Sequence, residues 1–104
     1  MALARKSPNN IEVLGATGTV TPNSRDPQKV MVMTDDVTLN APSGVLYPGD
    51  VYIYRITLGS NTLTLHADYV SILSTPPTIL EESVLWVRVK GDLSLEYGVL
   101  INGA

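Results

Sequence analysis

The chain has 104 residues and a mass of 11.2 kDa, enough for one folded core and too short for two. It contains no cysteine, which excludes a disulfide framework, a thiolate metal site and a thiol nucleophile. A formal net charge of −3 gives no basic footprint for nucleic acid, and a hydrophobic content of 44% excludes a disordered chain. The charged content of 16% is low beside the roughly 25% of an ordinary soluble domain, so part of the surface is expected to be covered by a partner subunit.

In chain order, Met1 to Asn10 is small, basic and polar and reads as an arm outside a single β domain that spans residues 11–104. No apolar stretch follows Arg5-Lys6, and no run approaches the roughly 18 apolar residues of a membrane span, so neither a signal peptide nor a membrane segment is expected. Ile11 to Leu14 predicts a short strand, Gly15 and Gly18 punctuate it, and extended structure resumes at Thr19 before the loop Pro22 to Pro27. Gln28 to Thr34 carries apolar residues on both faces, as in a strand covered on both sides. Asp35-Asp36 then turns the chain into Val37-Thr38-Leu39-Asn40, where period two puts Val37 and Leu39 on a buried face.

Pro48-Gly49 suits a type II turn, because glycine accepts the positive φ that this turn needs at its third position. It leads into the longest strand, Asp50 to Leu58, with Val51, Ile53 and Arg55 on one face and Tyr52, Tyr54, Ile56 and Leu58 on the other. Gly59-Ser60-Asn61 predicts a hairpin into Thr62 to His66 with Leu63 and Leu65 inward. Tyr69 to Leu73 repeats the alternation, Ser74 to Pro77 breaks it, and Thr78-Ile79-Leu80-Glu81 has capping-box spacing for at most one helical turn. Val84 to Val89 and Leu93 to Tyr97 predict a second hairpin around Gly91-Asp92, with Leu93, Leu95 and Tyr97 on one side. About eight to ten short strands at this turn spacing predict an all-β fold, a small antiparallel β-sandwich or a jelly-roll or barrel-like domain, with no solenoid-type repeat.

Few residues suggest chemistry. His66 is the lone histidine, and no spacing sets it against Ser60, Ser71 or Asp68 as a catalytic pair, so a surface or turn role is expected. The carboxylates Asp35-Asp36, Glu81-Glu82, Asp26, Asp50, Asp68 and Asp92 cluster near turns, where Asp bonds its own backbone; they lack EF-hand spacing, and no metal or cofactor is predicted. Gly15 and Gly18 lack the Lys-Ser/Thr tail and helix of a phosphate loop. Tyr52, Tyr54 and Trp86 on neighbouring strands offer a platform for a sugar ring, although Trp86 and a tyrosine row more naturally fill a core without phenylalanine.

Asp36-Val37-Thr38-Leu39-Asn40-Ala41-Pro42, then Pro48-Gly49-Asp50-Val51-Tyr52-Ile53-Tyr54, then Gly59 to Leu65 and finally Val84 to Tyr97 resemble small β domains of tailed-bacteriophage virions. The resemblance spans about Val37 to Tyr97 and rests on β alternation and turns. It implies a non-enzymatic structural protein at the virion surface, most simply a capsid decoration protein that binds the major capsid protein as a homotrimer and cements the head. A head-fibre, tail-fibre or baseplate module and a glycan-binding domain are the alternatives. On this reading, Leu3, Arg5 and Lys6 of the arm dock on the capsid, and Val30, Met31, Val32 and Met33 with Val99, Leu100 and Ile101 form the trimer seam.

Overall fold

The structure, a computed structural model, describes residues 11–73 and 78–102. Nine strands are present among them and no helix: β1 (Ile11–Val13), β2 (Gly18–Val20), β3 (Gln28–Val32), β4 (Val37–Leu39), β5 (Val51–Thr57), β6 (Leu63–Leu65), β7 (Tyr69–Ser71), β8 (Glu82–Val89) and β9 (Leu95–Asn102). They form a six-stranded sheet in the order β1-β3-β5-β8-β9-β7 and a three-stranded sheet in the order β2-β4-β6.

The chain alternates between the sheets from β1 to β6, so each strand pairs in parallel with the strand two places further on. Ile11 sits beside Gln28 and Gln28 beside Ile53, while Val37 sits beside both Gly18 and Leu63. Antiparallel pairing, expected throughout, is confined to β5 with β8 and β8 with β9, and β7 joins β9 in parallel. The sheets are therefore mixed, and the N-terminal half is wound rather than folded back on itself.

The hairpin expected at Gly59-Ser60-Asn61 is accordingly absent. These residues turn a corner from one sheet to the other, and β6 pairs with β4. Gly59 takes φ +63°, and the Asn61 side-chain amide donates to the Leu58 carbonyl (2.9 Å) and the Met33 carbonyl (3.3 Å), fixing the corner to the preceding turn of chain. At Pro48-Gly49 the expected turn forms: Gly49 has φ +90° and the Asp50 N–H donates to the Tyr47 carbonyl at 3.1 Å. Thr78 to Glu81 forms no helical turn, and the break expected over Ser74 to Pro77 lies outside the described residues.

The second expected hairpin, β8 to β9, is present, but β9 begins at Leu95 and Leu93 belongs to its loop. Leu93 has φ +67°, the left-handed position that usually carries glycine, and its side chain is 48% exposed. Leu93→Gly is therefore expected to raise stability, by up to about 1 kcal/mol, as a higher denaturant midpoint at unchanged slope.

Side chains of both sheets meet in one core, which includes Met31, Val37, Leu39, Tyr52, Tyr54, Ile56, Leu85, Val87 and Leu95. Two tyrosines tie the layers together. Tyr69 donates its hydroxyl proton to the Asn40 carbonyl beyond β4 (2.6 Å), so Tyr54, at 3.1 Å, donates to the Tyr69 oxygen; their rings meet edge to face at 6.3 Å. Burial pushes both phenols well above the ordinary tyrosine range, and the Tyr69 charge adds to the effect on Tyr54.

Candidate functional site

Strand alternation gives the six-stranded sheet an inner face against the core and an outer face toward solvent. On β5 the buried residues are Tyr52, Tyr54 and Ile56, so Val51, Ile53, Arg55 and Thr57 face outward. Register then carries the outer face across neighbouring strands: Val13 lies beside Val30, Val30 beside Arg55, Arg55 beside Val84, and Ile53 beside Trp86. Ile11, Val13, Val32, Val51, Val70, Ile72 and Leu100 are between 45% and 79% exposed on this face. A β-sheet face this rich in uncovered valine, isoleucine and leucine is unusual for a solvated surface.

Near its centre, Trp86 pairs with Gly98 of β9. A Cβ on Gly98 would stand 2.7 Å from the indole Nε1 and 2.9 Å from Cε2, so the ring lies over the glycine backbone and only glycine leaves it room. Beside the ring, Ser71, Ile72, Leu73 and Leu100 help to line a groove of about 310 Å³. A second groove, about 350 Å³, runs between Val30, Arg55, Glu82 and Val84. Charge is sparse here: Arg88 is paired with Glu96 across β8 and β9, and the Arg55 side chain makes no hydrogen bond or ion pair among the described residues.

The expected seam residues divide between the two faces. Val30, half-buried, and Val32, 60% exposed, lie on the outer face, whereas Met31 and Met33 are 1% and 6% exposed and belong to the monomer's core. Leu100 faces outward, Val99 packs against the core across an irregularity in the β8–β9 register, and the Ile101 side chain lies outside what is described. So β3 is not covered on both sides within one chain, and its doubly apolar pattern leaves one row open. Leu3, Arg5 and Lys6 also lie outside the described residues.

The three-aromatic platform does not form. Tyr52 and Tyr54 are fully buried on the inner face, while Trp86 is half-buried on the opposite one, so Trp86 is not the core residue it was expected to be. His66 stands in an exposed turn, where its Nδ1 accepts the Asp68 N–H at 3.2 Å and lies 3.3 Å from the Asp68 carboxylate. Asp92 accepts from the Ser94 N–H and hydroxyl, which hold its carboxyl below the usual range, and Asp36 accepts the Thr62 N–H at 2.8 Å. Among the described residues no group of three or more acidic or histidine side chains is placed to hold a metal ion.

One polar cluster escaped the reading of the sequence. Lys29 shares the inward parity of Met31 and Met33 and is fully buried; its Nζ lies 2.8 Å from Glu12 Oε1 and 5.4 Å from the centre of the Tyr52 ring. That parity was the signal: a lysine in register with two core methionines must be buried with its counter-charge. Compared with known proteins, the chain matches no family model, no curated protein and no solved structure.

Proposed function

We propose that this protein is a non-enzymatic structural component of a tailed-phage virion, a decoration protein that assembles as a homotrimer and binds the head surface. The observation that supports this most is the apolar outer face of the six-stranded sheet, a surface that a second copy of the chain covers far better than water does. Val30, Val32, Val84, Trp86 and Leu100 are the residues it would bury, and Trp86 is the natural anchor because large aromatics dominate such contacts. The phage setting rests on the resemblance of Val37 to Tyr97 to virion β domains. In that setting a ring of three closes the seam and docks on the major capsid protein, with the basic arm supplying Arg5 and Lys6.

Light scattering of the native protein tests the assembly: a particle near three times 11.2 kDa is expected, and a clean monomer at all accessible concentrations overturns the trimer. Co-sedimentation with undecorated phage heads, with and without residues 1–10, tests the docking; equal retention of the shortened chain overturns the role of the arm.

A second reading, glycan binding, draws only on Trp86 and the groove beside it. A carbohydrate array that the wild type lights and Trp86→Ala does not would move it ahead.

A further inference from the structure

The cluster around Lys29 has the parts of a reaction. Lys29 Nζ is the nucleophile: fully buried, 2.8 Å from Glu12 Oε1 and 3.4 Å from the side-chain oxygen of Asn23. It also donates to the Asn23 backbone carbonyl at 2.6 Å. Glu12, one strand away in the parallel register of β1 and β3, is held in place by accepting the Asn23 N–H on both oxygens, at 3.0 and 3.2 Å. The carboxamide of Asn23 is fixed on every side. Its Oδ1 accepts the N–H groups of Arg25 and Asp26, both at 2.9 Å, and its Nδ2 donates to the Asp26 carboxylate at 3.0 Å. Two backbone donors aimed at one carbonyl oxygen polarise it as an oxyanion hole does. Burial away from water favours the neutral amine, and a carboxylate within hydrogen-bond reach can accept the proton it gives up.

We propose that Lys29 and Asn23 become joined by an isopeptide bond in the folded protein, with Glu12 as the general base. Glu12 takes a proton from the Lys29 ammonium, and the freed Nζ attacks Cγ of Asn23, forming the Nζ–Cγ bond. The negative charge that develops on Oδ1 is held by the Arg25 and Asp26 N–H groups. Glu12 passes its proton to Nδ2, accepts the second proton of Nζ, and hands that proton on as well when the Cγ–Nδ2 bond breaks, so the side-chain nitrogen leaves as ammonium. Glu12 ends as the carboxylate it began as, and neither oxidant nor water is consumed. Asp26, bonded to the departing nitrogen, orients it. The product replaces a buried ammonium by a neutral amide and leaves the Glu12 carboxylate held by the Asn23 N–H. The bond fastens the loop after β2 to β3, the corner where the first turn of the chain meets the second.

Intact-mass measurement of the purified full-length protein tests this directly. The wild type is expected to be lighter than its sequence by one ammonia, and digestion is expected to yield a branched fragment joining residues 23 and 29, with no tryptic cut after Lys29. Lys29→Arg, Asn23→Ala and Glu12→Gln are expected at full mass. A wild type that keeps its full mass after prolonged incubation, with Lys29 in a linear peptide, overturns the proposal whether or not any variant folds. So does an ammonia loss that persists in Lys29→Arg, since that marks a succinimide at Asn23-Ser24. Wild-type cross-linking in Glu12→Gln removes the carboxylate from its assigned role.

Discussion

Met31→Asp is expected to abolish the native fold, while the same change one residue later, Val32→Asp, is expected to leave the fold intact and split the proposed trimer. The two side chains lie on opposite faces of β3: Met31 is 1% exposed in the core and Val32 is 60% exposed on the outer face. An unpaired carboxylate at Met31 costs several kcal/mol, comparable with the whole stability of a small domain, about 5 to 15 kcal/mol. At Val32 the monomer keeps its hydration of the new charge, and the change costs within about 1 kcal/mol. In the proposed trimer the charge would be desolvated against an apolar partner. Circular dichroism and light scattering separate the outcomes: loss of β signal for Met31→Asp, and for Val32→Asp a native signal with a mass falling toward 11.2 kDa. If Val32→Asp kept the wild-type mass of an oligomer, the seam would lie elsewhere.

The second large effect is an asymmetry between two tyrosines that share one hydrogen bond. Tyr69→Phe is expected to cost about 2 to 3 kcal/mol, because it strips the Asn40 carbonyl of its donor and the Tyr54 hydroxyl of its acceptor in a buried site. Tyr54→Phe leaves the Tyr69–Asn40 bond standing and is expected to cost about 1 kcal/mol. Equal losses in urea titrations would mean that the proton order along this chain is not the one inferred. The pair also sets an alkaline limit. Both phenols are raised in the folded state, so the native protein holds protons that the unfolded chain releases near pH 10. The stability they contribute is complete below that pH and is lost above it. Phenolate absorbance from Tyr54 and Tyr69 should appear only together with unfolding.

Alternation in the sequence located most strands and told their faces apart: on Asp50 to Leu58 the split between Val51, Ile53, Arg55 and Tyr52, Tyr54, Ile56 is the split the structure shows. It also held the clue to Trp86, which shares its parity with Arg88 and therefore its outward face. Alternation does not name a neighbour, however. Gly59-Ser60-Asn61 has the residues of a hairpin turn, and the same positive φ and side-chain hydrogen bonds serve equally to turn a corner between sheets. No repeat betrayed the winding, because the chain between paired strands differs in length from one turn to the next, with Ile11 opposite Gln28 but Gln28 opposite Ile53. Leu93 was misread as strand because its loop takes a left-handed residue where nothing in its side chain announces one. In the Glu12–Asn23–Lys29 cluster, parity marks Lys29 as buried but not its partners, since these depend on the parallel register of β1 and β3 and on a loop conformation.

The winding of β1 to β6 has a consequence for how the protein acquires its structure. Each parallel pairing closes a long excursion through the other sheet, and the entropy of that closure is met before any contact rewards it. Of the strands that pair with each other, only β8 and β9 are joined by a short turn, so their hairpin is the one long-stranded unit able to form locally, in about 1 to 10 μs. Yet it is the last part of the described chain to be synthesised, and β5 relies on β8 for one of its two edges. During translation the earlier strands emerge with that edge unpaired, so the growing chain is exposed to misassociation until the C-terminal hairpin arrives to close it.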